Sequence, residues 1–343
     1  MQETRKKVLL LGMTDYYLDQ TDPVLEKKFN GMNARFDLTV LARGIPVHSH
    51  NYAADFHLIP KKFGKLGVVW WSVIALLKGR KLIKEKNIDV IITQSPSIDG
   101  LVGVALKKIT RNKLIVEVHG DWINAPFLYF SIPFSGFFKK ILRGIGGISL
   151  RNADSIRVIS SATEALARSL APNHTYRKFP TFTDIDQFVA ETNLSWTPTI
   201  VYAGWLYRLK GIHNLIDAFN EIADAHPEFE LIIVGSGPYL DVLKEHAEPN
   251  KKRIHFVGHK PLAEVREIMR SSTTVVLPSY SEGLGRVLIE AAALRKPVIG
   301  SNVDGIPDVI RHGENGYLVP PGDAKALAEH LRLLLEDSQK ARQ

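Results

Sequence analysis

The sequence predicts two α/β domains, each a doubly wound parallel sheet, facing one another across a cleft. Three observations carry that prediction. Short β-branched strands alternate with amphipathic helical stretches from one end of the chain to the other. The alternation breaks near the middle, at residues 180–198, where PTFTDIDQFVAETNLSWTP gathers proline, threonine and aspartate. And 343 residues is long for one hydrophobic core. The domains are read as 1–190 and 191–343.

In the first domain the runs KVLLLG, DLTVLA, DVIITQ, LIVEVHG and SIRVIS read as strands. In the second they are TIVYAG, ELIIVG, IHFVG, TTVVLPS, PVIGS and YLVP. The intervening helices are amphipathic, as in GIHNLIDAFNEIADAH and PLAEVREIMRSS. No solenoid repeat or low-complexity segment interrupts them.

Composition is that of a soluble globular protein, 45% hydrophobic and 23% charged. With no cysteine there is neither disulfide nor thiolate chemistry, which suits a reducing, cytoplasmic compartment. The start, MQETRKKVLLLGM, has too short an apolar run for a signal peptide. The run LGVVWWSVIALL falls short of the roughly 18 residues a spanning helix needs. Charge is uneven. Residues 1–190 hold 27 Lys/Arg against 16 Asp/Glu, a balance of +11, and residues 191–343 hold 17 against 20, a balance of −3. A basic half joined to a mildly acidic one implies different partners for the two.

In doubly wound sheets ligands sit beyond the carboxyl ends of the strands. In the second domain those ends carry Gly204–Lys210, Gly235-Ser-Gly237, Gly258, Ser279–Gly285 and Ser301–Gly305. The stretch SYSEGLGRVLIE, residues 279–290, is the most informative. A glycine loop opening a helix presents backbone N–H groups beside the positive end of the helix dipole, which suits a phosphate. Glu282 on the loop and Glu290 inside the helix are then free to accept hydrogen bonds from hydroxyls. Ribose, phosphates and a further polyol together make a nucleotide sugar. The same spacing also suits a capping glutamate beside an exposed one.

Arg208 and Lys210 follow the strand TIVYA at a helix start, where cations oppose the dipole but would offset a diphosphate. In the first domain LIVEVHGDW sets His119 and Asp121 at a strand end. His119 reads either as a partner for a substrate hydroxyl or as a structural residue. Asp184 and Asp186, the D-x-D of the seam, read as turn chemistry and not as a metal site. No Walker loop, H-E-x-x-H or G-x-S-x-G is present.

The stretch PSYSEGLGRVLIEAAALRKPVIGSNVDGIPDVIRHGENGYLVPPGDAKALAEHL closely resembles the signature of the retaining glycosyltransferases of family 4, which have the GT-B fold. Weaker similarity runs through YAGWLYRLKG, EVHGDW, NADSIRVISSATEAL and KFPTFTDIDQF. The resemblance implies that Glu282 contacts the donor sugar and Glu290 the ribose. It implies that N–H groups around Gly283, Leu284 and Gly285 hold sugar and phosphate, and that Lys210 offsets the diphosphate. His119 would sit against the sugar near the anomeric centre, and backbone from Gly258 to Lys260 would read the base. The implied catalysis retains configuration, uses the leaving phosphate as base and needs neither metal nor other cofactor.

Three departures accompany the likeness. Trp205 stands where the family usually has arginine, so Arg208 would supply that charge from a shifted place. The glycine-rich loop after the first strand shrinks to Gly12 in LLGMTDYY, on the acceptor side with Asp121. The chain stops after LRLLLEDSQKARQ, short of the usual long tail helices.

The basic first domain would bind the acceptor. KLGVVWWSVIALLKGRKLIKEK and APFLYFSIPFSGFFKKILRGIGG mix aromatics, aliphatics and lysines, which suits either an anionic membrane surface or core helices with basic outer faces. Nucleic acid fits poorly, for lack of a binding module. The expected activity is hexose transfer from a UDP- or GDP-linked donor to a glycan or lipid-linked sugar at the inner membrane face. The alternatives are a nucleotide-sugar epimerase of the same architecture and a non-catalytic nucleotide-sugar-binding subunit.

Overall fold

The computed structural model describes residues 5–18, 22–45, 52–129, 134–189 and 196–336. The chain folds as two compact units, Met1–Asn124 with Ile132–Phe182, and Ala125–Ser131 with Thr183–Gln343. The boundary read at 190/191 lies outside the described residues. So do the last residues of LRLLLEDSQKARQ, from 337 on, and residues 130–133 of the aromatic segment.

The first unit is built on β1 (Lys6–Tyr16), β2 (Phe36–Gly44), β3 (Asp55–Ile59), β4 (Val90–Thr93), β5 (Lys113–Val118), β6 (Ser155–Val158) and β7 (Tyr176–Lys178). They form one parallel sheet in the order β3-β2-β1-β4-β5-β6-β7. Helices α1 (Pro23–Asn33), α2 (Gly67–Lys86), α3 (Ile98–Thr110), α4 (Ala125–Tyr129), α5 (Ser135–Arg151) and α6 (Ser161–Arg168) come from the same half of the sequence. Strand periodicity splits the core in two. Leu9 and Leu11 of β1 point to the face covered by Trp71 and Ala75 of α2, Leu106 of α3 and Leu150 of α5. Val8 and Leu10 point to the opposite face, where Phe29 of α1 packs with Tyr16 and Tyr52.

The second unit holds β8 (Thr199–Ala203), β9 (Glu230–Val234), β10 (Ile254–Gly258), β11 (Thr274–Leu277), β12 (Val298–Ser301) and β13 (Tyr317–Val319). Their order is β10-β9-β8-β11-β12-β13, again parallel throughout. Its helices are α7 (Ile212–Ile222), α8 (Leu240–Ala247), α9 (Leu262–Ser271), α10 (Arg286–Ala293) and α11 (Ala324–Glu336). A single buried cluster joins Tyr202, Ile216, Phe219, Val275, Leu288, Ile299 and Leu331. Phe188, from a 3-10 turn at Ile185–Phe188, belongs to it, so the seam is anchored in the second core.

Every strand expected from an apolar run is present. The sequence reading did not anticipate β3 and β7, which lie at the two edges of the first sheet. Edge strands lack one row of neighbours and need less apolar surface, so DFHLI and YRK carry no buried-strand signature. No helix among the described residues is long and apolar enough to cross a membrane.

Candidate active site

Strand order in the second sheet reverses between β8 and β11, the point outside which doubly wound sheets hold their ligands. Two loops leave it. One follows β8 through a 3-10 turn at Arg208–Lys210 into α7, and α4 packs on that turn. The other follows β11 from Pro278 to Gly285 and opens α10. Gly211 lets them meet. Its φ is +63°, and a Cβ there would lie 2.0 Å from the Pro278 carbonyl oxygen. Tyr280 N–H donates to Leu209 O at 2.7 Å, a second tie between the loops.

Across this junction Lys210 Nζ donates to Glu282 Oε2 at 2.6 Å, with 16% and 18% of the two side chains exposed. The Glu282 loop is pinned from behind by Asp304, which follows β12. Its Oδ2 accepts from Ser281 Oγ at 2.6 Å and from Glu282 N–H at 3.0 Å. Gly305 N–H in turn donates to Glu282 O at 3.1 Å. Asp304 takes a left-handed φ of +45°, a region aspartate enters more readily than most residues.

The N–H groups of Gly283, Leu284 and Gly285 make no hydrogen bond among the described residues. Gly285 caps α10 without a side-chain acceptor. Those amides and the helix dipole form an anion seat. Glu290 lies one turn further on, half-buried, and its carboxylate accepts no hydrogen bond among the described residues. Burial raises its carboxyl above the ordinary glutamate value, against a smaller opposing pull from Arg286. A carboxylate so placed is satisfied by hydroxyl donors.

Of the remaining second-unit positions, Arg208 and Trp205 share the loop after β8, and Gly258 and Lys260 lie at the end of edge strand β10. Arg208 is exposed and makes no ion pair among the described residues. Trp205 is exposed on the same loop. Gly258 ends β10 at φ +72°, and its carbonyl accepts from Gly235 N–H at 2.8 Å. Lys260 pairs with Glu264 at 2.9 Å.

In the first unit His119 stands just beyond β5. Its Nε2 lies 2.8 Å from Glu117 Oε2, and Thr181 Oγ1 lies 3.5 Å from its Nδ1. Glu117 Oε1 accepts from the Arg157 guanidinium at 2.6 Å, and the two residues are cross-strand partners on β5 and β6. Burial raises the Glu117 carboxyl, but the hydrogen bond and charge of His119 and the charge of Arg157 outweigh it, and the net shift is downward. With Nε2–H donated to Glu117, the Nδ1 lone pair of His119 is the one that can accept a proton or hydrogen bond.

Asp121 is engaged locally. Its carboxylate accepts from Ile123 N–H, Asn124 N–H and Asn124 Nδ2, closing the turn before α4. Gly12 lies within β1, where a Cβ would fall 1.9 Å from Gln94 Oε1, so glycine makes room for the Gln94 side chain. Thr14 Oγ1 donates to that same oxygen at 2.7 Å. Asp184 accepts from Gln187 Nε2 at 2.6 Å in the seam turn. No cluster of three or more His, Asp or Glu suited to a metal occurs among the described residues.

The sequence reading gave no individual role to Ser281 and Asp304, which lie in strand-end stretches it marked, nor to Glu117 and Arg157. Two left a trace. E-x-H in EVHGDW puts Glu117 and His119 on one strand face, and the Asp-Gly after PVIGSNV marks a tight turn at a strand end.

Two family models match, Glycosyltransferase Family 4 over residues 30–187 and Glycosyl transferases group 1 over residues 184–343. An uncharacterized glycosyltransferase of Methanocaldococcus jannaschii is 27% identical over 286 residues, 82% of this chain and 75% of that protein. A glycogen synthase of Mycobacterium tuberculosis is 31% identical over 156 residues, 45% of this chain but 38% of that protein, so the likeness covers well under half of that relative. The crystal structure of Anabaena HepE in complex with UDP superposes with a TM-score of 0.75 at 18% identity, covering 98% of this chain and 92% of that one, a likeness of fold. The second-unit loop, the two parallel sheets and both family models agree: the chain belongs to the group 1 glycosyltransferases of family 4 and has the GT-B fold.

Proposed function

We propose that the chain is a retaining glycosyltransferase that moves a hexose from a UDP- or GDP-linked donor to a glycan or lipid-linked sugar, without a metal. The observation that carries this reading is the junction of unbonded amides at Gly283–Gly285, the Lys210–Glu282 pair and the unpartnered Glu290 at one switch point. The amides and Lys210 hold the diphosphate and stabilise charge as it leaves. Glu290 takes the ribose diol, and Glu282, released by Lys210, takes hydroxyls of the sugar. Arg208 adds a second cation at the rim. His119, with Nδ1 as acceptor, orients a sugar hydroxyl, and backbone near Gly258 reads the base.

A thermal-shift panel of UDP- and GDP-sugars tests the donor. At about 100 times the Kd a true donor stabilises the fold by about 2.7 kcal/mol, and a panel with no shift ends the reading. Donor incubated without acceptor must remain unconverted, since conversion would mean an epimerase.

The acceptor, on this reading, lies at an anionic membrane. On α2, Val69, Val73 and Leu77 form a stripe at helical spacing that is 62%, 50% and 62% exposed, and Lys78, Arg80, Lys81 and Lys84 follow it. On α5, Phe137, Ile141 and Ile148 are exposed, and that helix holds Lys139, Lys140 and Arg143 with no acidic residue. Flotation with phosphatidylglycerol vesicles at low salt is expected to recover the protein, and Val73→Glu to leave it in the bottom fraction. Equal recovery of both proteins refutes the membrane assignment.

A further inference from the structure

A concavity of about 270 Å³ opens at the carboxyl ends of β2 and β3, lined by Arg43, Pro60, Lys61, Lys62, Trp71 and the first residues of α2. Its charge is unbalanced. Arg43 binds Asp15 through two nitrogens, at 2.8 and 3.1 Å, and Lys61 reaches the same carboxylate at 2.7 Å. Lys62 has no ion-pair partner among the described residues, so three cations share one anion. Asp15 is accordingly held below the ordinary aspartate value: burial would raise it, but the bonds and charges of Lys61 and Arg43 prevail.

The wall supplies one further donor. Trp71 is 1% exposed, and its indole N–H is buried without an acceptor. The loop is held in a costly shape, with Phe63 at φ +66° edge-on to Trp70 and Gly67 closing against the Lys62 carbonyl. A concave surface with surplus cations and an unsatisfied indole N–H in its wall suits an oxyanion. Phe63, Leu66 and Val68 are exposed nearby, at the start of the stripe on α2.

We propose that this concavity binds a phosphate group, the anionic part of the molecule that the first unit receives. Phosphate could arrive on a water-soluble glycoside or as a lipid headgroup, and the chemistry of the site is the same for both. The proposal does not depend on the donor reading, because its probes bind without turnover.

The full chain carrying Lys210→Ala, which disables the diphosphate seat of the second unit, is the test protein. Two probes are titrated by calorimetry and flotation: glycerol phosphate in solution, and phosphatidylcholine vesicles doped with phosphatidic acid. Adding Lys62→Glu, at an exposed residue with no partner to lose, is expected to weaken binding about tenfold or more. Tryptophan fluorescence should respond to the probe, and Trp71→Phe should remove most of that response. Binding of glycerol phosphate identifies a soluble phosphate ligand, and binding to vesicles alone identifies a headgroup. If neither probe binds, or if Lys62→Glu binds as tightly as its parent, the site is not a phosphate site. Donor binding is read on the unsubstituted chain, so either reading can fail without the other.

Discussion

At the ligand edge of the second sheet, the groups that seek an anion are main-chain amides of three consecutive residues, steadied by one ion pair between adjacent loops. At the corresponding edge of the first sheet they are side chains gathered from β2, the loop after β3 and α2. The first arrangement is local in sequence and tolerates almost any side chain around its glycines. The second depends on residues far apart in the chain and can be retuned one substitution at a time. On the proposed function, a nucleotide diphosphate that recurs and an acceptor that varies would be recognised on separate sheets.

Glu282→Ala tests this contrast most severely. Transfer should fall on the order of 10²–10³-fold, while the melting temperature barely moves, because the side chain contacts Lys210 and not the core. A large loss of stability would make Glu282 a structural residue.

Glu117→Ala should show the reverse balance. It leaves the Arg157 guanidinium without its carboxylate partner, and urea unfolding should register a loss of about 3 kcal/mol. Because the folded-state value of Glu117 is lowered, its contribution is full above the ordinary glutamate range. That contribution disappears as the pH falls through the lowered value. The wild-type and Glu117→Ala stability curves should therefore converge on acidification, and parallel curves would refute the assignment.

Asp304→Ala is the mildest of the three. Losing the acceptor for Ser281 Oγ and Glu282 N–H should lower kcat about tenfold with little change in fold stability. Asp304→Asn keeps an acceptor oxygen and tolerates the left-handed backbone, so it should recover most of the rate. An Asn variant as slow as Ala would show that the loop is held by other means.

The same contrast governs what could be read in the sequence. A buried parallel strand is a continuous apolar run, so TTVVLP and KVLLLG were legible as strands, whereas YRK offers the core only Tyr176. Gly283–Gly285 and Glu290 were legible because a glycine loop and the helix it opens are contiguous. Asp304 acts on Glu282 from 22 residues away, and Arg157 reaches Glu117 across a strand register that exists only after folding. Asp121, placed on the acceptor side by the sequence, closes its own turn. A short polar side chain serves its nearest backbone first.

Both sheets are parallel at every ladder. Among the described residues neither therefore contains a hairpin, the unit that forms in microseconds from neighbouring residues. Each pairing must first draw together strands separated by a crossover connection, losing chain entropy before any inter-strand bond compensates. Folding of this chain should accordingly be slow for its helix content, with half-formed sheets exposed long enough for chaperones to matter during synthesis.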